Sequence, residues 1–353
     1  MAADKIITIA LDAMGGDNAP AQQVKGAVEA VNAASAVHDP AGSSADYTGE
    51  FRIRLFGDEA QLKAELRKYS YDESRIEITA CGSVIENCDV PTSAIRHKKD
   101  SSMVQGLLAV KNDEADAFIS CGSTGALLVG GQTIIGRLKG VERAALAFIV
   151  PSVNKPVLIM DCGANADAKP EMLLQWAVIS TIYMQIVMGE SSPRVGILNI
   201  GEEEEKGNKL VKEAFPLLKD CKKINFTGSI ESRGISTGEA DVVVCDGFTG
   251  NVVLKMYEGV AASTINLVKG VFTKNLKTKI GALLLKNELK EAFKQYSAKA
   301  YGGAPMLGLK KLVVKPHGNS EYIEIKNAIL QCVQAVYGGI NTKMTLEEEN
   351  GKE

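Results

Sequence analysis

The strongest constraint on the fold is an alternation of period. Short runs rich in valine and isoleucine occur at residues 5–11, 52–56, 75–79, 117–119, 146–150, 157–160, 194–200, 223–227, 241–245 and 312–315. Between most of them lie longer segments whose apolar residues recur at helical spacing, as do Val24, Ala27, Val28 and Val31. Helices are expected likewise over 59–68, 101–110, 126–138, 172–189, 209–218, from Val252 onward, and over 322–336. Strands this short and apolar leave neither face for water. They predict an α/β fold, a mostly parallel sheet with helices on both faces. The elements group as a single large domain over 1–340, including a protruding helical segment at about 255–300, with a polar tail over 341–353. Residues 33–50 have no period and are expected to form a surface loop.

A second regularity lies where the runs stop. The 117–119 run enters the small-residue turn Ser120-Cys121-Gly122-Ser123-Thr124-Gly125 and then a helix. Such a junction offers unpaired backbone N–H groups and the positive end of a helix dipole, which suits phosphate. Four other runs end in the same vocabulary: Asp12 with Gly15, Gly16 and Asp17; Asp161 with Gly163 and Asn165; Asn199 with Gly201; and Asp246 with Gly247, Thr249, Gly250 and Asn251. Glycine, aspartate and asparagine suit any turn. Five such ends on one edge of a parallel sheet predict a shared ligand site outside the carboxyl ends of the strands.

Composition removes several classes of function. A formal charge of −3 and 5% aromatic residues do not fit a nucleic-acid binder. No G-x-x-x-x-G-K-[ST] is present and no G-x-G-x-x-G follows the first strand, so neither a P-loop nor a dinucleotide fingerprint is available. His38, His97 and His317 are scattered without the spacing of a metal site. The seven cysteines show no C-x-x-C pair and read as reduced thiols of a cytosolic protein. The first residues run straight into a strand, which leaves no room for a signal peptide. Cys121, Cys162 and Cys245 stand at strand ends, where a nucleophile is conceivable, but a small buried hydrophobe is the commoner role. Residues 172–189 carry no charge and reach the length of a membrane span. Gln175, Ser180, Thr181 and Gln185, with strands on both sides, instead predict a buried core helix.

Cations stand near two expected helix starts. Arg96, His97, Lys98 and Lys99 precede a helix that Asp100 or Ser101 can cap, with Ser102 following, and Lys169 precedes Pro170. Residues 269–299 hold eight lysines and two glutamates, a net +6 inside a chain of net charge −3. Leu276, Ile280, Leu283, Leu284 and Leu285 lie within this stretch. It is too short to span a bilayer and is expected to meet a second subunit, an anionic membrane surface, or both.

The chain resembles the phosphate acyltransferases of bacterial phospholipid synthesis. The resemblance runs from about Ile6 to Tyr337 and rests on DAMGGD at 12–17, R-x-KKDSSM at 96–103, GSTGA at 122–126, GRLKGVERAALA at 136–147 and GANADAKPE at 163–171. It continues through RVGILNIGEEE at 194–204, KGN at 206–208, ADVVVCDGFTGNVVLK at 240–255, YGGAPMLGLK at 301–310 and HGNS at 317–320. The pattern departs at Asn18, His97 and Ser123, where the family usually has histidine, arginine and asparagine.

The resemblance implies a Rossmann-like α/β fold related to isopropylmalate dehydrogenases and phosphotransacetylases, with a protruding helical hairpin. It also implies a homodimer attached peripherally to the inner face of the cell membrane through a helical tip. The implied reaction takes fatty acyl-[acyl carrier protein] and inorganic phosphate to acyl phosphate and free carrier. A glycerol-3-phosphate acyltransferase would be the downstream partner, and no metal or organic cofactor is required. In this scheme phosphate binds at Ser123, Thr124 and Gly125, with Lys98, Lys99 or Lys169 offsetting its charge, and attacks the thioester directly. Asp12, Asp161 or Asp246 would orient phosphate or take its proton; Asn165, Asn199 and Asn251 would donate to oxyanions; His317 would protonate the leaving thiolate. A coenzyme A-dependent phosphotransacylase and a non-catalytic, membrane-associated scaffold that binds phosphate or acyl chains are the alternatives.

Overall fold

A computed structural model describes residues 6–33, 50–289 and 301–344. The body of the expected 33–50 loop, Lys290, Lys294, Lys299 and the tail after Met344 lie outside the described residues. The strands are β1 (Ile7–Asp12), β2 (Phe51–Gly57), β3 (Ile76–Ala80), β4 (Ala117–Ser120), β5 (Ala145–Val150), β6 (Val157–Met160), β7 (Arg194–Asn199), β8 (Asn225–Glu231), β9 (Val242–Val244), β10 (Ala304–Leu307) and β11 (Leu312–Lys315). The helices are α1 (Ala21–Ala33), α2 (Glu59–Leu66), α3 (Pro91–His97), α4 (Ser102–Lys111), α5 (Thr124–Gly130), α6 (Pro170–Val187), α7 (Lys209–Asp220), α8 (Ser232–Thr237), α9 (Gly247–Thr273), α10 (Leu276–Leu284), α11 (Tyr322–Tyr337) and α12 (Ile340–Lys343).

All the described strands join one sheet in the order β3-β2-β1-β4-β11-β10-β5-β6-β9-β7-β8. Most neighbours are parallel, as the apolar strands require. The exceptions are β11 with β10, β10 with β5, and β5 with β6, all antiparallel. Three reversals in a row leave β6, β9, β7 and β8 running opposite to β3, β2, β1, β4 and β11. The five glycine-bearing strand ends therefore do not share one edge. Asp12 and Ser120 end strands at one edge, while Met160, Asn199 and Val244 end strands at the other. Of the strands, β10 alone has no counterpart among the sequence runs. Its APML has no β-branched residue, and its proline argues against a central strand.

Two kinds of core follow from this layout. On one face α1, α6, α7 and α11 cover both halves with a continuous cluster that includes Ile9, Leu11, Ile53, Ala147, Met160 and Val195. The charge-free run lies here as α6, with Trp176 and Tyr183 fully buried. Each such aromatic buries on the order of 150–250 Å², worth roughly 4–6 kcal/mol at 25 cal/mol/Å². Their polar ends are satisfied: the Trp176 indole donates to the Arg143 carbonyl at 2.9 Å, and the Tyr183 hydroxyl accepts from Gln331 at 2.6 Å. No described helix is long and apolar enough to cross a membrane.

On the opposite face the core is split. One cluster gathers Phe118, Met306 and Val313 under α4 and α5; the other gathers Ile159, Val243, Ile235 and Leu254 under α8 and α9. Regular helix α5 stops at Gly130, earlier than the period suggests, and a wider turn continues over Gly131–Ile135. A side chain on Gly131 would meet Leu309 at 2.8 Å, so close packing on the loop after β10 decides this segment. Helix α9 buries only Gly247, Gly250 and Leu254 and then leaves the body, and α10 buries nothing among the described residues. Leu283 and Leu284, on α10, are 71% and 76% exposed. At the other end of the chain Ile340 and Met344 are buried, so packed structure extends a few residues into the expected tail.

Candidate active site

The gap between the two clusters is a cleft of about 440 Å³ on the face of the sheet. Its floor follows from strand alternation. Ala145, Ala147 and Ile149 of β5 enter the continuous core, so Leu146 and Phe148 face the other way, into the cleft. In β11 Leu312 and Val314 belong to the continuous core and Val313 to the opposite cluster, which sends Lys315 to the cleft side. One wall carries Asp17, Gly122 and Thr124 from the first half of the sheet. The other carries Gly163, Asn251, Lys255 and Glu258 from the second half, and Pro316, His317 and Gly318 close one side. Thr124, Asp17, Gly163, Asn251 and His317 are thus brought together from distant parts of the chain.

The buried aspartates are turn anchors. Asp12 Oδ1 accepts from the backbone N–H of Met14 and Gly15 at 3.2 and 3.1 Å, and Oδ2 accepts from the Ser120 hydroxyl at 2.7 Å. Asp161 Oδ1 accepts from Leu146 and Ala164 N–H at 3.1 and 3.0 Å, and Oδ2 from the backbone and side-chain N–H of Asn165 at 2.7 and 2.8 Å. Burial raises both carboxyls above their usual proton affinity, and these hydrogen bonds oppose the rise only in part. Neither carboxylate lines the cleft. Asn165 is spent in the same turn, its amide donating to Ala144 as well as to Asp161.

The remaining turn residues shape helix starts. Asp246 caps α9 by accepting from the Thr249 N–H and hydroxyl at 2.8 and 2.7 Å. Ser123 accepts from Ala126 N–H at 3.4 Å and caps α5; Ser101 does the same for α4 through Val104 N–H. Ser102 is buried, and its hydroxyl lies against the Asp12 carboxylate, favouring the charged form. Gly247 and Gly250 let the first turn of α9 press on the Asn165 and Asp161 carbonyls. A side chain on Gly15 would strike Asp12 and the Gly122 N–H, and Gly125 packs on Pro91. Gly16 and Gly163 have φ near +100° and +111°, backbone that favours glycine.

Other candidates stand apart from the cleft. Lys98 is held by Asp89 at 2.6 Å and the Val84 carbonyl at 2.9 Å. Lys99 is exposed. Lys169, also exposed, pairs with Glu142. Asn199 donates to Ser229 Oγ and the Lys206 carbonyl, and with Gly201 belongs to the loop after β7. Burial pushes the Cys121 thiol up to about 12 and raises the Cys162 and Cys245 thiols well above the ordinary range, so all three favour the protonated form at neutral pH.

Sequence reasoning missed Lys315, Asn87, Lys255 and Glu258 as cleft residues. Two signals were available. Lysine closing an all-apolar strand, as in LVVK, flags a charge at the sheet edge whose direction the packing decides. Asn251, Lys255 and Glu258, spaced at four and three residues, form one stripe of α9, with the Lys255 ammonium 2.8 Å from Glu258.

The same open α/β fold is found in phosphotransacetylases of known structure. A phosphotransacetylase from Staphylococcus aureus superposes with a TM-score of 0.56 at 17% identity, covering 93% of this chain and 94% of that one. A branched-chain phosphotransacylase from Enterococcus faecalis gives the same score at 15% identity, covering 94% and 99%. The family model described as fatty acid synthesis protein matches residues 7–343. A phosphate acyltransferase of Clostridium acetobutylicum is 45% identical over 97% of this chain and 99% of its own length, and one of Alkaliphilus oremlandii is 48% identical over 92% of each. The chain belongs to the phosphate acyltransferase family, and is an acyltransferase.

Proposed function

We propose that the enzyme transfers a fatty acyl group from the thioester of acyl carrier protein to inorganic phosphate in this cleft, releasing acyl phosphate and free carrier thiol. The observation that carries the direct reaction is the burial of the cleft thiols, with Cys121 1% and Cys162 4% exposed. Cys121 and Cys162 line the cleft but hold their protons far above neutral pH, so neither is a ready acyl acceptor. Phosphate is already an anion and is itself the nucleophile. Its oxygen forms the new C–O bond, the carbonyl electrons move onto oxygen, and their return breaks the C–S bond. The thiolate takes up a proton from His317 or from water. Thr124 and Asn251, one on each wall of the cleft, orient phosphate and the carbonyl oxygen.

Acyl phosphate made this way would feed phosphatidic acid synthesis through a glycerol-3-phosphate acyltransferase. The exposed apolar residues of α10, together with Lys277, Lys279 and Lys286, suit contact with an anionic inner membrane surface, and the exposed face of α9 suits a second copy of the chain. The reaction is tested by incubating the protein with acyl carrier and phosphate while following free thiol and hydroxylamine-trapped acyl phosphate. Phosphate-dependent thiol release is expected. Release that ignores phosphate, or a covalent acyl-enzyme formed without it, would defeat the proposal, and a clear preference for coenzyme A thioesters would replace the carrier as substrate.

A further inference from the structure

Lys315 is a buried cation on the lining of the cleft. It is 9% exposed, at the end of a strand whose preceding residues are all buried. Its ammonium donates to the Pro316 carbonyl at 2.6 Å and the Cys121 carbonyl at 3.3 Å, and no carboxylate among the described residues lies within ion-pair distance. An ammonium has three hydrogens, so one donor is left. Buried charges are paired in folded proteins because desolvation is otherwise uncompensated. This one is paired with carbonyl dipoles only, and it faces a cavity.

A second observation points the same way. A smaller recess of about 140 Å³ shares Phe148, Glu258, Ala304, Lys315 and His317 with the cleft. Ser320 lines it, 3% exposed, and its hydroxyl has no hydrogen-bond partner among the described residues. A buried cation with a spare donor and a buried hydroxyl without a partner thus border the same connected space. An oxygen-rich anion in that space would satisfy both.

We infer that Lys315 is the catalytic cation that holds inorganic phosphate in the cleft, with the Ser320 hydroxyl as a further donor. The assignment rests on the acyl-transfer reading for its role in turnover, but the binding it describes does not. From Lys315 the anion lies within the same cleft as Thr124, and the ammonium offsets its charge through the transition state. Asp12, Asp17, Cys121, His317, Glu258 and Glu324 surround the site. Asp12 and Asp17 favour the charged lysine, while burial disfavours it more, so its proton affinity lies below that of an ordinary lysine.

The test measures phosphate binding by calorimetry and turnover by thiol release, with Lys315→Met and Lys315→Arg. Lys315→Met is expected to weaken phosphate binding at least tenfold and raise the KM for phosphate, with the KM for acyl carrier within twofold of wild type. Unchanged phosphate binding, or a rise confined to the KM for carrier, which would place the carrier's phosphodiester arm at this lysine, overturns the inference. Wild-type kcat/KM for phosphate should fall at alkaline pH as Lys315 loses its proton, and Lys315→Arg should move that limb upward. A limb that stays in place overturns the inference even where Lys315→Met does not fold. Wild-type protein that binds phosphate through Lys315 yet releases no thiol defeats the acyl-transfer reading alone.

Discussion

The two halves of the sheet end in the same device and use it differently. Each half closes a strand with a buried aspartate that gathers the N–H groups of a glycine-containing turn. Asp12 makes two such bonds and a third to Ser120, which ties β1 to its parallel neighbour β4. Asp161 accepts four, one of them from Leu146 on the antiparallel strand β5. Asp161 therefore holds the seam between the two directions of the sheet, and Asp12 holds a junction inside one half. The second half also carries the long arm of α9 and α10, which the first half lacks. Aspartates at strand ends look catalytic in a linear reading; here they fix walls, and the first half supplies the buried cation.

Substitutions can break that comparison, starting with the largest effect. An added Cβ at Gly250 would collide with the Asp161 carbonyl oxygen, backbone against backbone. Gly250→Ala should cost more than about 4 kcal/mol in denaturant unfolding, because neither partner can yield. Asp161→Ala should cost about 3–5 kcal/mol and Asp12→Ala about 2–3 kcal/mol, since each leaves buried donors unpaired and Asp161 serves more of them. Equal losses would mean that the seam is no weaker point than the interior of a half.

The same carboxyls predict a pH dependence. Burial raises both above the ordinary value of 3.8, so the native state holds their protons more tightly than the unfolded chain. That contribution is fully present below 3.8 and is lost as pH rises through the native values, and Asp12→Asn should flatten part of the slope in thermal melts. The smallest effect on stability belongs to the arm. Leu283→Glu with Leu284→Glu should change unfolding by less than about 0.5 kcal/mol, because both side chains are already exposed. The pair should nevertheless abolish flotation with anionic liposomes; retained flotation would remove α10 from the membrane contact.

Much of the fold was legible because periodicity reports burial directly. The valine and isoleucine runs became strands within a few residues of their expected ends, and the charge-free 172–189 run became core helix α6. The parts that were not legible depend on partners distant in sequence. Strand β10 reads as a turn until β11 and β5 hold it, and α5 ends where Leu309 crowds Gly131. Site residues divide on the same line. Thr124, Gly163 and Asn251 were visible because turn chemistry marks them locally. Lys98 and Lys169 looked equivalent to any phosphate-binding lysine until the fold paired them with Asp89 and Glu142.

The sequence by itself determined an α/β sheet with helices on both faces, the turns that close its strands, and, through its motifs, membership of the phosphate acyltransferase family. These are properties of neighbouring residues and need only local sterics and the burial of apolar surface. Tertiary structure alone decided that the sheet reverses through β10 and β5, that the core splits on one face to leave a cleft, and that Lys315 points into it. Those outcomes depend on which strands lie side by side, and strand order is set by the packing of the whole chain.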